Sequence, residues 1–230
     1  MQPLPTIEPA RAAIRGVAER FSVHRIYCVG RNYADHAKEM GASGREPPFF
    51  FLKPADAIFN VAEDQTADWP YPSLTQDLHH ELELVVAIGQ RGRDIAVNDA
   101  HRFIWGYAMG LDMTRRDLQS VMKKESKPWC IGKGFDFSAP MGPITPIESV
   151  GELSSGSIQL DINGVVRQRG DLSQMIWNVA EVIAHLSRAW ELNPGDLIFT
   201  GTPAGVGPVV RGDVIRVTAA QLAGFSLRVV

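Results

Sequence analysis

The most informative pattern in the chain lies in residues 78–89, LHHELELVVAIG. Leu82, Leu84, Val86 and Ile88 alternate onto one face and the run closes at Gly89, which predicts a strand. The same period of two places His79, Glu81, Glu83, Val85 and Ala87 on the other face. Two carboxylates therefore sit side by side on a strand whose far end is apolar on both faces. Further strands are expected at 25–30 (RIYCVG), 47–54 (PPFFFLKP), 103–112 (FIWGYAMGLD), 196–207 around the TGTPAGVG loop, and 213–218 (DVIRVT). Within 156–170 the pair Asn163–Gly164 is the strongest hairpin signal.

Helical spacing is rarer. Ala12, Ile14, Val17, Ala18 and Phe21 predict a short amphipathic helix over 8–21. Residues 32–41 read as one or two turns that Asn32 can cap and Gly41 can stop, and 114–122 as a helix behind Thr114. Over 178–195, Asn178 and Glu181 resemble a capping pair, and Val179, Val182, Ile183, Leu186 and Trp190 share a stripe. Many short strands, few helices and no regular strand–helix alternation predict a β-rich mixed α+β fold rather than a doubly wound sheet.

Composition narrows the partners more than the fold. With 230 residues, 45% hydrophobic and 21% charged, the chain can build one large core. A net charge of −3 supplies no bulk attraction for nucleic acid or an anionic membrane. No apolar run approaches the ~18 residues of a membrane span, and the opening residues lack a secretory apolar core. Cys28 and Cys130 stand far apart without metal or redox spacing, which fits a reducing cytoplasm.

The paired acids need relief. Two ionised carboxylates about 5 Å apart repel by roughly 3 kcal/mol at an effective dielectric near 20. Water on an exposed face, a retained proton, or a bound cation would each serve. Asp112 ends the strand 103–112 where the chain enters a helix, so Glu81, Glu83 and Asp112 together offer three oxygens to a hard cation. Mg²⁺ suits such a set, and Mn²⁺ or Ca²⁺ would accept it. Zinc is disfavoured, because no Cys or His cluster has its spacing. His79 and His80 face opposite ways on a strand, cannot chelate as a pair, and leave at least one as a supporting or core residue.

Six separated segments now combine: IYCVGRNYADHAKEMG, PPFFFLKPADAI, DLHHELELVVAIG, WGYAMGLDMTRRDLQ, GKGFD and LIFTGTPAGVGPV. In this order they resemble the fumarylacetoacetate hydrolase family over about Arg25–Val217, with the closest look to its small acylpyruvate and fumarylpyruvate hydrolases. The resemblance implies a β-roll of packed mixed sheets with a few short peripheral helices. It makes 1–24 a helical or extended leading segment and 25–230 a single catalytic domain. It also implies a homodimer, and an Mg²⁺ or Mn²⁺ site on Glu81, Glu83 and Asp112. Residues 32–46, around His36 and Glu39, become a lid. Cys130 departs from the pattern, where an acidic or hydroxyl residue is more usual.

His36 and Glu39, three apart, share a helical face, and a carboxylate beside imidazole raises its basicity. Alone that spacing is mostly a solvated surface pair; the resemblance makes it a water-activating dyad. The implied reaction is hydrolysis of the C–C bond of an acylpyruvate, nearest to fumarylpyruvate cleavage in aromatic-compound catabolism. Lys133 is the candidate for the oxyanion, while Arg31, Lys53, Arg116, Gln119 and Thr202 are candidates for the anionic ends of the 2-oxo acid. The loop 200–207 lacks the Gly-Lys-Ser/Thr ending of a nucleotide loop and opens no helix. Oxaloacetate decarboxylation, or keto–enol tautomerisation and isomerisation, at the same metal–enolate site is the first alternative. A non-catalytic metal-binding scaffold is the second.

Overall fold

The computed structural model describes residues 8–33 and 45–230. Its centre is the strand Leu82–Ile88, buried at every position. That strand lies inside an eight-stranded mixed sheet. On one side of it come Leu197–Phe199, Ile26–Gly30 and the edge strand Phe49–Lys53; on the other come Ile104–Leu111, Ala139–Met141 and Ile58–Asn60. The period of two explains the double burial. Leu82, Leu84, Val86 and Ile88 enter one apolar cluster with the helix Val179–Ala189 and a five-stranded sheet, while Val85 and Ala87 enter a second cluster with Ile26, Cys28 and Phe199. The β-rich mixed fold expected from the sequence is the fold that forms.

The local signals behave as their chemistry dictates. Asn163 and Gly164 both take positive φ, 53° and 79°, and join the paired strands Ser157–Ile162 and Val165–Asp171. Asn178 Oδ1 accepts from Glu181 N–H, and Glu181 Oε2 accepts from Asn178 N–H, closing the capping box. Asn178→Ala should cost about 1 kcal/mol and lower the melting temperature by roughly 2–4 °C, measured by thermal unfolding. An unchanged midpoint would show that the cap adds nothing to stability.

Three expectations need correction. Residues 8–21 do not form a helix: Arg11–Ala13 and Arg20–Ser22 pair as a small antiparallel ribbon. Ile14 bridges to Ile144, Ile144 N–H donates to Ala13 O, and Asn60 bonds both Ala13 N–H and Arg11 O. Those long-range backbone bonds override the helical propensity of the Ala/Glu/Arg-rich stretch. Thr114 does not cap the following helix, Arg116–Lys124; the residue before the helix is Arg115 and its side chain makes no cap bond. The strand read over 78–89 is interrupted at Glu81, giving Leu78–His80 and Leu82–Ile88 in different sheets.

Candidate active site

The interruption builds the site. The ladder between Leu82–Ile88 and Ile104–Leu111 sets Leu82 opposite Leu111 and Glu83 opposite Gly110. Asp112 N–H donates to Glu81 O at 2.9 Å, and His79 lies opposite Thr114, so the register continues through the break. Opposed residues project to one face, so Glu81, Glu83 and Asp112 share it. All three are buried, and one oxygen of each lies within 4.8 Å of the others. Oxygens on one hard cation, at about 2.0–2.6 Å from it, stand at most about 4–5 Å apart. The cluster has the spacing and the donor chemistry for a divalent ion.

Among the described residues three cations surround the acids. Lys133 Nζ bonds Glu81 Oε2 (2.9 Å), Asp112 Oδ2 (2.6 Å) and Thr114 Oγ1 (2.7 Å). Arg116 Nη2 contacts Glu81 Oε1, and Nη1 donates to Gln119 Oε1 at 2.5 Å. Lys53 Nζ approaches Asp112 Oδ1 to 2.8 Å, but outside hydrogen-bonding angles, so that buried oxygen has no hydrogen-bond donor among the described residues. Among the described residues Glu83 has the weakest support, a single N–H from Gly201 at 2.8 Å.

The electrostatics follow from these contacts. Burial drives the Glu81 carboxyl up, but Lys133 and Arg116 outweigh it and hold the group well below the usual range. Burial, then repulsion from Asp112 and Glu81, holds Glu83 well above it. Among the described residues Glu83 has no ion pair of its own, and a buried carboxyl so placed is where a cation gains most. Lys133 is raised: Asp112 and Glu81 overcome the effect of its burial.

Above the acids lies a small cavity of about 30 Å³, room for one or two waters. Arg31, Arg116, Gln119, Lys133 and Thr202 line it together with both glutamates. Arg31 takes a left-handed backbone, φ 57°, and its buried Nε has no hydrogen-bond partner among the described residues. Such strain in a non-glycine residue costs on the order of 1 kcal/mol and concentrates at ligand sites. Lys53 does not line the cavity; its ammonium is buried against Asp112 and the carbonyls of Met113 and Lys133. Lys133 reaches the cavity with all three donors already committed. Cys130 is exposed on the short helix Cys130–Lys133 and also lies off the cavity lining. His36 and Glu39 lie outside the described residues.

A family model described as Fumarylacetoacetate (FAA) hydrolase C-terminal matches residues 25–230. The chain belongs to the fumarylacetoacetate hydrolase family. A crystal structure of fumarylpyruvate hydrolase from Pseudomonas aeruginosa, in complex with Mn²⁺ and pyruvate, shares 51% identity at a TM-score of 0.97, covering 100% of this chain and 99% of that one. A fumarylpyruvate hydrolase from a Ralstonia species is 42% identical over 184 residues, 80% of this chain and 93% of its own. A mitochondrial oxaloacetate decarboxylase from Dictyostelium discoideum is also 42% identical, over 192 residues, 84% of this chain and 87% of its own.

In this fumarylacetoacetate hydrolase family member, two buried amides join the site that the sequence pattern did not assign to it. Asn32 accepts from Trp177 N–H and donates to Trp177 O and Thr200 O, tying the end of strand Ile26–Gly30 to the Gly-rich loop, while the turns and lid expected after it lie, over 34–44, outside the described residues. Gln168 accepts from Leu82 N–H and His80 Nδ1, both at 2.9 Å, and donates to Thr202 Oγ1 and Pro203 O. Burial pushes the His80 imidazole down to about 4, so it is neutral at pH 7. His79 is the more accessible of the pair and bonds Asp77. The signal for Gln168 is weak, since it stands between two arginines on a strand otherwise largely exposed.

Proposed function

We propose that the protein is a divalent-metal-dependent acylpyruvate hydrolase that cleaves fumarylpyruvate to fumarate and pyruvate, with Mg²⁺ or Mn²⁺ as the ion. The observation that carries this reading is the charge balance of the buried cluster. Among the described residues, three carboxylates, all ionised once a cation binds them, face three cations, Lys53, Arg116 and Lys133. A dication therefore brings two positive charges in excess, with Arg31 on the cavity wall beside them. A dianionic 2,4-dioxo acid is the complementary ligand.

A divalent cation on Glu81, Glu83 and Asp112 would supply the positive charge that makes the pyruvate enolate an acceptable leaving group. The chain's own residues do the rest. Arg31 and Arg116 hold the anionic ends, and the Thr202 hydroxyl donates a hydrogen bond to a carboxylate. His36, oriented by Glu39, takes a proton from water, and the hydroxide adds to the C4 carbonyl. The C3–C4 bond then breaks, its electron pair leaves on the pyruvate fragment, and protonation at C3 yields pyruvate. Lys133 keeps Glu81 and Asp112 in place, and an oxyanion role requires one of its three contacts to open.

The similarity to an oxaloacetate decarboxylase supports a second reading in which the same enolate is reached by loss of CO₂. Turnover of fumarylpyruvate, maleylpyruvate, acetylpyruvate and oxaloacetate by the Mg²⁺-loaded protein separates the two. Under the first reading kcat/KM is highest for fumarylpyruvate. A value highest for oxaloacetate, with acylpyruvates untouched, would reverse the assignment.

A further inference from the structure

We infer that Gln168 is a positioning residue that sets the hydrogen-bond polarity of Thr202, making its hydroxyl a dedicated donor to a carboxylate in the cavity. This inference rests on the assignment of the cavity to an anionic 2-oxo acid. It begins with a group whose direction cannot change. Leu82 N–H can only donate, so the Gln168 atom 2.9 Å away must be the carbonyl Oε1. The amide is thereby locked against rotation. His80 Nδ1, 2.9 Å from that same oxygen, must carry the imidazole proton.

The other end of the amide is then fixed as NH₂. One hydrogen goes to Pro203 O at 2.8 Å and the other to Thr202 Oγ1 at 2.7 Å. All four hydrogen-bonding capacities of Gln168, itself fully buried, are used. Thr202 accepts from Gln168, so its own proton is left for another acceptor, and Thr202 lines the cavity beside Arg31 and Arg116. The chain of bonds runs one way, from the backbone between the two glutamates to the cavity wall. A carboxylate accepts that proton; a carboxamide NH₂ in the same place cannot, and is left only the hydroxyl's second lone pair.

The close approach is built in. A Cβ on Gly205 would lie 2.0 Å from Arg167 O, and one on Gly170 2.9 Å from Pro203 Cβ. Glycine at both positions lets the Thr202–Gly205 turn press onto the strand that carries Gln168.

Calorimetric binding of pyruvate and of pyruvamide to the Mn²⁺-loaded protein tests this without turnover. Gln168→Glu keeps an oxygen for Leu82 N–H but presents Thr202 with an acceptor, turning the threonine proton away from the cavity. Pyruvate affinity should fall about tenfold or more, and preference for pyruvate over pyruvamide should shrink. In a Thr202→Val background the same change should cost less than about threefold. An equal loss in both backgrounds would mean that the introduced carboxylate acts by charge or by structure, and would overturn the proposal. Manganese affinity reports whether the metal-binding carboxylates remain placed.

Should Gln168→Glu not fold, the wild type gives the answer directly. Imidazole ¹⁵N NMR of the Mg²⁺-loaded protein should show His80 protonated on Nδ1, and a proton on Nε2 alone would overturn the inference. Failure of the anionic-substrate reading looks different: wild type and Thr202→Val would then bind pyruvate equally weakly, whatever the tautomer of His80.

Discussion

Glu83→Gln is expected to weaken divalent-metal binding severely while leaving the metal-free protein as stable as before or more so. The amide is isosteric and can still accept from Gly201 N–H, so the packing survives. What disappears is a carboxyl that burial and repulsion from Asp112 and Glu81 make costly to ionise. Manganese affinity should drop on the order of 10³-fold, since even an outer partner of a ligand is worth about 10–100-fold. Hydrolysis should fall by about the same factor, through loss of the charge that accepts the enolate. The stability arm has a definite sign. The folded carboxyl titrates above its ordinary value of 4.5, so the metal-free wild type loses stability as pH rises past that value, and the Gln variant does not. Melting curves with and without Mn²⁺ decide the matter. Unchanged metal affinity, or a large loss of metal-free stability, would remove Glu83 from the ion site.

His36→Ala is expected to separate the two reactions proposed for this site. Acylpyruvate hydrolysis needs an activated water, and loss of the proposed base should reduce kcat roughly 10³-fold. Oxaloacetate decarboxylation expels CO₂ and needs no nucleophile, so it should remain within about tenfold of wild type. Both rates are measured on one preparation of the metal-loaded variant. Equal loss of both would show that residue 36 serves binding or folding rather than water activation. Equal retention would remove it from the chemistry.

Much of the site was legible because strand parity is local. Glu81 and Glu83 share a face by period two, and Asp112 stands at the end of the next predicted strand. The capping pair Asn178/Glu181 and the Asn163–Gly164 turn were equally readable, since each depends on neighbours within four residues. The leading segment misled for the opposite reason. Its Ala, Arg and Glu residues favour helix, yet the bonds to its backbone that decide its form come from the Asn60 side chain and the Ile144 backbone.

Gln168 shows how far local reading reaches. Counting back from the Asn163–Gly164 turn pairs Ile162 with Val165 and Asp161 with Val166, so Leu160 should face Arg167. A bulge between Leu160 and Asp161 moves the register by one, and Leu160 faces Gln168 instead. That single step turns an apparently solvent-facing amide into the buried link between Leu82 and Thr202.

The amino-acid sequence by itself determined which side chains could form the site and which face of each strand carries them, because the period of a strand and the chemistry of a turn are properties of adjacent residues. The tertiary structure alone decided that Glu81 meets Asp112, that Lys53 lies beneath the acids rather than on the cavity wall, and that Gln168 points inward. Register, bulges and burial come from bonds between segments distant in the chain, and no local pattern encodes the partner at the far end.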